Sequence, residues 1–527
     1  MNNISNIIYD SLQSDSPQWK ADSSLALYAL AGLLLIPIFQ SIKGSFSGVK
    51  AQVVGHRSFF EPQWLVRHRF IKGSAGIIQH GYDKFKESMF KIRRQDGDIL
   101  VISQKFVDQL RSLPEKQLSS TWAQVRNLHG HYTTLDALIA SNLHIRVIQQ
   151  RLTPNLAASV PIMEEELKYA LDVEMPKCDA YVSSDEWAEV KLFDLMMGVI
   201  TRLSNRVFVG PEICRNDEWL STSVHFGEAI AMTTMTLRMI PSWMHFFIGP
   251  LLPSYWQIRK HLKTAERLLG PVIRARQAQS KEERGTPDLL QHMMDLASPD
   301  EQDADFLARR QLLVSFGALH TTAMAATHTL YDLAAYQEYF EPLRAEIAEA
   351  IEGKDQLDNQ TILKLPKMDS FMKESQRANP PSLLSFHRYV RTPVKLNDGT
   401  VFPAGTHFAM AADAVLHDKS MLPGGGDPDV FDGFRYSRLR EDPDNQNRYL
   451  FAQTDNNHLH FGHGRCACPG RFFSSVEIKV LFIYLLTRYD WKYPEGKGRP
   501  ENFSAEESRY PDPSARVLIK RRKDAII

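Results

Sequence analysis

Between Asp303 and Tyr336 the chain reads DADFLARRQLLVSFGALHTTAMAATHTLYDLAAY, polar at both ends and apolar on nearly every side through its middle. A helix with one apolar stripe can lie on a surface, but one that is apolar all round must be enclosed by other elements. The chain has 527 residues, enough to build such an enclosure. Helical spacing recurs in EEELKYALDVEM (164–175), KTAERLLGPVIRARQAQSKEE (263–283) and YFEPLRAEIAEAIE (339–352), and LPKMDSFMKESQRANPP predicts a helix stopped by Pro380 and Pro381. Beyond Pro381, residues 383–411 read as extended segments around an Asn397-Asp398-Gly399 turn. Residues 420–445, rich in Pro, Gly and Asp, read as an irregular loop. A last helix runs from Arg471 to Tyr489, and short strands follow. The pattern predicts an α+β chain, mostly helical, with a small sheet region late in the sequence.

Lys plus Arg equals Asp plus Glu at 62 each, so no polyelectrolyte face argues for nucleic acid as a partner. Four cysteines (Cys178, Cys214, Cys466, Cys468) are too few for a disulfide scaffold, and Cys178 and Cys214 read as free thiols of a reducing compartment. Ser23 to Ile42, SSLALYALAGLLLIPIFQSI, carries no charge. Twenty residues at about 1.5 Å each span about 30 Å, one bilayer core. The preceding leader is acidic (Asp10, Asp15, Asp22), unlike a secretory signal, and Lys43, Lys50 and Arg57 follow the stretch. These features predict a polar leader (1–22), a transmembrane anchor (23–42), a linker (43–60) and one large cytosolic catalytic domain (61–527).

FGHGRCACPGR, residues 461–471, concentrates the chemistry. With His458, His460, His463, Cys466 and Cys468 the region offers zinc ligands, although a closed zinc site draws them from two separated pairs. A redox pair prefers C-x-x-C. A third reading uses Cys468 alone. It precedes a helix whose free N–H groups and dipole lower a thiol's pKa, while Gly462, Gly464 and Gly470 let the backbone approach a flat partner and Phe461 covers the sulfur.

That loop resembles the haem-binding signature of the cytochrome P450 family, F-G-x-G-x-R-x-C-x-G, with Cys468 as the axial iron ligand and Phe461, Gly462, Gly464 and Gly470 in place. Cys466 stands where the family has an arginine, and Arg465 beside it is the available replacement. Upstream, KESQR matches E-x-x-R through Glu374 and Arg377, and FDGFRY supplies Arg435 as the third member of the family's structural ion network. FGALHTTA (316–323) resembles the oxygen-site helix element: Thr321 matches the oxygen-bonding threonine, Thr322 follows, and His320 replaces the usual acid, a group able to relay protons. Arg388, flanked by His387 and Arg391, falls where the family binds a haem propionate. For the family's W-x-x-x-R helix, residues 144–155 with His144, Arg146 and Arg151 are the expected region.

The resemblance, strongest to fungal membrane-anchored biosynthetic members and covering roughly residues 50–520, implies haem b, O2, electrons from a separate NADPH–cytochrome P450 reductase, and an endoplasmic reticulum membrane location. The implied substrate is a hydrophobic secondary metabolite such as a terpenoid or other polycyclic compound. Phe316, Ala318, Leu319, Ser382, Leu383 and Leu384 are the candidate pocket residues. The rival readings are a haem-thiolate isomerase or dehydratase that needs no reductase, and a zinc-binding non-enzyme built on His458–Cys468.

Overall fold

The structure is a computed structural model and describes residues 49–58, 60–177, 186–280 and 287–523. The expected leader and anchor, most of the linker, and Cys178 lie outside the described residues. Among the described residues no helix is long and apolar enough to cross a membrane.

In chain order the elements that position the site begin with β1 (Gln52–Val53), α1 (Gln63–Phe85), β2 (Met89–Arg94), β3 (Gly97–Ile102), β4 (Leu118–Ser119) and α2 (Ser120–Asn127). The helical mass follows: α3 (Leu156–Lys177), β5 (Ala188–Lys191), α4 (Leu192–Val209), α5 (Asp217–Arg238), α6 (Pro253–Ala278), α7 (Ala304–Ala335), α8 (Phe340–Ile351) and α9 (Pro366–Ala378). Strands β6 (Ser385–Val390), β7 (Val394–Lys395), β8 (Val401–Phe402) and β9 (His407–Met410) precede α10 (Arg471–Arg488), and β10 (Tyr489–Lys492), β11 (Phe503–Ala505), β12 (Ser508–Tyr510) and β13 (Arg516–Arg521) close the chain.

Helix α7 is the predicted core helix. The Asp303 carboxylate accepts the Phe306 N–H at 2.8 Å and starts it. α4, α5 and α6 pack along it, and most of its length is buried. α9 begins on Pro366 and ends at Asn379, before the two prolines that cannot continue it.

The predicted late sheet is only half of what forms. A six-stranded sheet runs in the order β1-β2-β3-β9-β6-β4, so strands from residues 52–119, where the sequence pattern predicts none, pair with the late ones. β2 and β3 form a hairpin from Met89↔Ile102 to Arg94↔Gly97, and β3 runs parallel to β9. The missed signal is local: Phe90 and Ile92 alternate with polar residues ahead of Asp96-Gly97, and both are buried. The predicted turn after β7 does form, as the β7–β8 hairpin with Gly399 at φ +86°. A smaller antiparallel sheet, β10-β13-β5, ties the carboxyl terminus to the start of α4.

Glu374 on α9 has no exposed surface. Its two oxygens accept Nε and Nη2 of Arg377, both at 2.9 Å, and the Asp432 N–H at 3.0 Å, while Arg435 Nε lies 3.4 Å away. Arg377 Nη1 donates to the Pro428 and Leu416 carbonyls, and Arg435 Nη1 to that of Gly425. Burial opposes the charge on Arg377, yet its pKa is raised, because the hydrogen bond to Glu374 and the charge of that carboxylate together outweigh the lost hydration. The expected network therefore joins α9 to the irregular segment, in a role that is structural. Stranding a buried charge costs about 3–5 kcal/mol. We expect Arg435→Ala and Glu374→Ala to lose about that much in denaturant unfolding; losses below about 1 kcal/mol in both would show that the three charges do not act as one unit.

Candidate haem-thiolate site

The loop from Leu459 to Arg471 is folded by its own backbone. Cys468 N–H donates to the Phe461 carbonyl at 2.7 Å, Ala467 N–H to Gly464, and Gly462 N–H to Leu459. Gly462 and Gly464 adopt φ +65° and +72°. Gly464 is forced by a neighbour as well: a Cβ there would lie 2.3 Å from the Arg111 carbonyl oxygen, which also accepts the Arg465 N–H at 3.1 Å. Phe461 meets Phe451 edge-on at 5.6 Å.

The zinc reading does not survive this geometry. Among the described residues no three His, Cys, Asp or Glu side chains converge as a metal site. His458 is held by Tyr436 and Asp455, His463 by Thr454, and the Cys466 thiol donates to Glu115 at 3.4 Å. Cys214 is a free, buried thiol with its pKa pushed up to about 11, chiefly by burial.

Cys468 is exposed although it lies between packed elements, and part of α7 is exposed as well. In that mostly buried helix Gly317 and Thr321 are exposed, one turn apart on one face. A Cβ on Gly317 or on Gly470 would touch nothing within 4 Å. The Thr322 and Ser474 hydroxyls bond at 3.1 Å, which holds α7 against the first turns of α10, just beyond Cys468. Thr321 Oγ1 donates to the Gly317 and Ala318 carbonyls. The expected fall in thiol pKa is not found. Burial raises it, and the N–H groups of Gly470 and Arg471 with the Arg471 charge offset only part of that rise.

Arg388 is 3% exposed, with its guanidinium on the carbonyls of His387 and His463. It is aimed there by a bulge in β6 between Ser385 and Arg388, where Phe386 takes φ +56°. Burial lowers its pKa, and among the described residues no carboxylate lies within ion-pair distance of it. Arg465 is exposed.

The residues expected at 144–155 point elsewhere. Arg146 pairs with Glu301 at 2.6 Å, His144 lies beside Arg310, and Arg151 is exposed. The W-x-x-x-R pattern is instead carried by Trp122 and Arg126 on α2, which packs on β6. Trp122 stacks on Tyr389 with ring centroids 6.1 Å apart, and the Arg126 guanidinium lies 5.6 Å from the centre of the same ring. The spacing in STWAQVRN was sufficient to find it.

The pocket candidates divide. Phe316 and Ala318 are partly exposed, and Phe316 meets Phe226 of α5 edge-on. Leu319 is fully buried, and Leu383 and Leu384 are packed into a core cluster with Phe70, Ile78 and Phe90. The Ser382 hydroxyl donates to the Glu507 carbonyl. Both ring nitrogens of His320 are buried without a hydrogen-bond partner.

An exposed thiol ahead of a helix tied to the core helix, together with a buried guanidinium on the same loop that has no carboxylate at ion-pair distance among the described residues, suits a large anionic planar cofactor. The cytochrome P450 family model matches residues 74–518, and the chain belongs to that family. Its members use haem with a cysteine thiolate as axial ligand. The chain is 47% identical to cytochrome P450 monooxygenase AN1598 of Emericella nidulans, over 97% of this chain and 95% of that protein. It is 41% identical to ent-kaurene oxidase P450-4 of Gibberella fujikuroi (94% and 97%) and 37% identical to cytochrome P450 monooxygenase paxP of Penicillium paxilli (96% and 95%). Retinoic acid-bound cyanobacterial CYP120A1 shares the fold, with a TM-score of 0.64 at 19% identity over 90% of this chain and all of that one.

We expect Gly464→Ala to cut the haem-to-protein absorbance ratio several-fold, because both its positive φ and the Arg111 carbonyl oppose a side chain. Gly498→Ala, with nothing within 4 Å of the added Cβ, should leave the ratio unchanged. Equal ratios in the two variants would contradict the clamp.

Proposed function

We propose that this monooxygenase holds its haem iron through Cys468 and oxidises a hydrophobic, polycyclic secondary metabolite of terpenoid type. The observation that carries the reading is an exposed Cys468 thiol just ahead of α10, the helix that the Thr322–Ser474 bond ties to α7, whose Gly317 and Thr321 are exposed as well. The ent-kaurene oxidase relatives support the terpenoid class.

When bound, the haem supplies O2 activation for attack on an unactivated C–H bond, with the thiolate's electron donation favouring O–O cleavage. The chain supplies the rest. Arg388, with Arg126 and Arg465, gives the cofactor's carboxylates their counter-charge. Gly462 and Gly464 let the loop turn against Arg111, and Gly470 leaves open space two residues beyond the sulfur. Gly317 and Ala318 leave room on the other side, where Phe316 and Ala318 form an apolar wall that favours an apolar substrate over water. The Thr321 hydroxyl, now bonded to its own helix carbonyls, is placed to hold a proton at the oxygen site. His320 serves as the neighbouring proton carrier.

Electrons come from a separate NADPH–cytochrome P450 reductase. The reading includes single-pass attachment to the endoplasmic reticulum membrane through residues 23–42, with the catalytic domain cytosolic. An exposed apolar surface supports it: Met239, Trp243, Phe246, Phe247, Leu251 and Trp256. Its Ser242 donates to the Asp96 carbonyl, in the same turn whose Gln95 carbonyl accepts Arg67 of α1. The apolar surface and the start of the domain therefore lie on one side, where aromatic residues suit a membrane interface.

The reduced, carbon-monoxide-bound absorption spectrum tests the ligand. We expect the long-wavelength Soret band of thiolate ligation in the wild type and in Cys466→Ala, and its loss in Cys468→Ala. Loss in Cys466→Ala with retention in Cys468→Ala would reverse the assignment. NADPH and O2 consumption with added reductase separates a monooxygenase from an isomerase, which consumes neither.

A further inference from the structure

His320 stands where the family carries an acid, and its surroundings on the neighbouring helix are specific to it. Its ring leaves α7 toward α5: a Cβ on Gly227 would come within 2.5 Å of His320 Cε1 and 2.8 Å of Nδ1, so only glycine leaves room for the imidazole. Two buried ring nitrogens without protein partners call for water as their hydrogen-bonding partner. The residue after Gly227 is Glu228, exposed, and its Oε2 lies 4.0 Å from Nε2 of His225 on the same helix. The His225 ring stacks on His261 of α6 at 6.4 Å. α5, α6 and α7 pack against one another here. His261, His225 and Glu228 thus cluster at the α5–α6 seam, and Glu228 directly follows the glycine against which the His320 ring packs.

The charged groups facing His320 are Glu228 and His225, both from α5, with His261 and Lys260 of α6 behind them. Burial lowers the pKa of His320, Glu228 raises it, and His225 lowers it when protonated. Of the groups named, the Glu228 carboxylate is the one whose charge favours an imidazolium here.

We propose that Glu228 of α5 is the anionic partner that lets His320 accept a proton, so that protons reach the Thr321 side through the α5–α6 seam. The proposal rests on the haem-thiolate reading above. A proton enters at one ring nitrogen of His320 and leaves from the other, so the imidazole is regenerated and no other reactant is consumed. Glu228 acts through His320 and is a positioning residue.

The test is the C–O stretching frequency of the carbon-monoxide adduct of the reduced holoenzyme, followed by infrared spectroscopy between about pH 5 and pH 8.5, the range in which imidazoles titrate. The wild-type band should titrate, and His320→Gln should abolish the titration. Glu228→Gln removes the charge that raises the His320 pKa, so its midpoint should move to lower pH by roughly half a unit or more. Glu218→Gln, on the same helix but paired with Arg267, should leave it in place. With reductase and NADPH, Glu228→Gln should release several-fold more peroxide per NADPH. An unmoved midpoint in Glu228→Gln, a titration that persists in His320→Gln, or a wild-type band that does not titrate would each overturn the proposal. Absence of the thiolate-type spectrum itself would overturn the haem-thiolate reading, and this inference with it.

Discussion

A carboxylate with no access to water, Glu374, stands between two guanidinium groups, and much of the proximal half of the molecule depends on it. None of the three charges can be buried alone. Together they bind α9 to the segment around Pro428–Arg435, a Pro- and Gly-rich stretch with little regular structure of its own. Lys373, the neighbour of Glu374, is fully buried and reaches on to the carbonyls of Leu450 and Gln453, close to the cysteine loop. Burial lowers its pKa to about 8, and the charges of Asp455 and Asp369 offset only part of the lost hydration. A short run of α9 thereby fixes a long irregular segment that leads to Cys468.

The loop itself is then held from the opposite side. Arg111 brings its carbonyl against Gly464 and Arg465, and β6 brings Arg388 onto the His463 carbonyl. Cys466 lies between these supports, donating to a Glu115 carboxylate that also accepts the Ser120 and Thr121 N–H groups at the start of α2. The position that departs from the family pattern has become a packing contact between the loop and α2. Arg388 is left as the buried cation of this region.

The core helix, the α9 helix with its proline stop, the ion network and the cysteine loop were legible because each is a local pattern with a physical reason: all-round apolarity, a missing N–H, paired opposite charges, glycines around one thiol. The early hairpin was not, although Asp96-Gly97 and the alternation at Phe90 and Ile92 carried its signal. β2 and β3 gain their sheet only by pairing with β9, some three hundred residues on, and no window of sequence contains that partner. Leu383 and Leu384 follow from the same cause, since their core includes Phe70, Ile78 and Phe90 from that early region. The direction of the Cys468 pKa was misjudged because the helix terminus is visible in sequence while burial is a property of the fold. Trp122 and Arg126 show the W-x-x-x-R spacing openly in STWAQVRN, ahead of the 144–155 stretch where the element was expected.

The central claim is that one sulfur of a two-cysteine loop carries the iron. Iron K-edge X-ray absorption on the purified haem-loaded protein measures this directly. The account predicts one sulfur at bonding distance in the wild type and the same sulfur in Cys466→Ala. A first shell containing only nitrogen and oxygen, or a sulfur that disappears with Cys466, would contradict it.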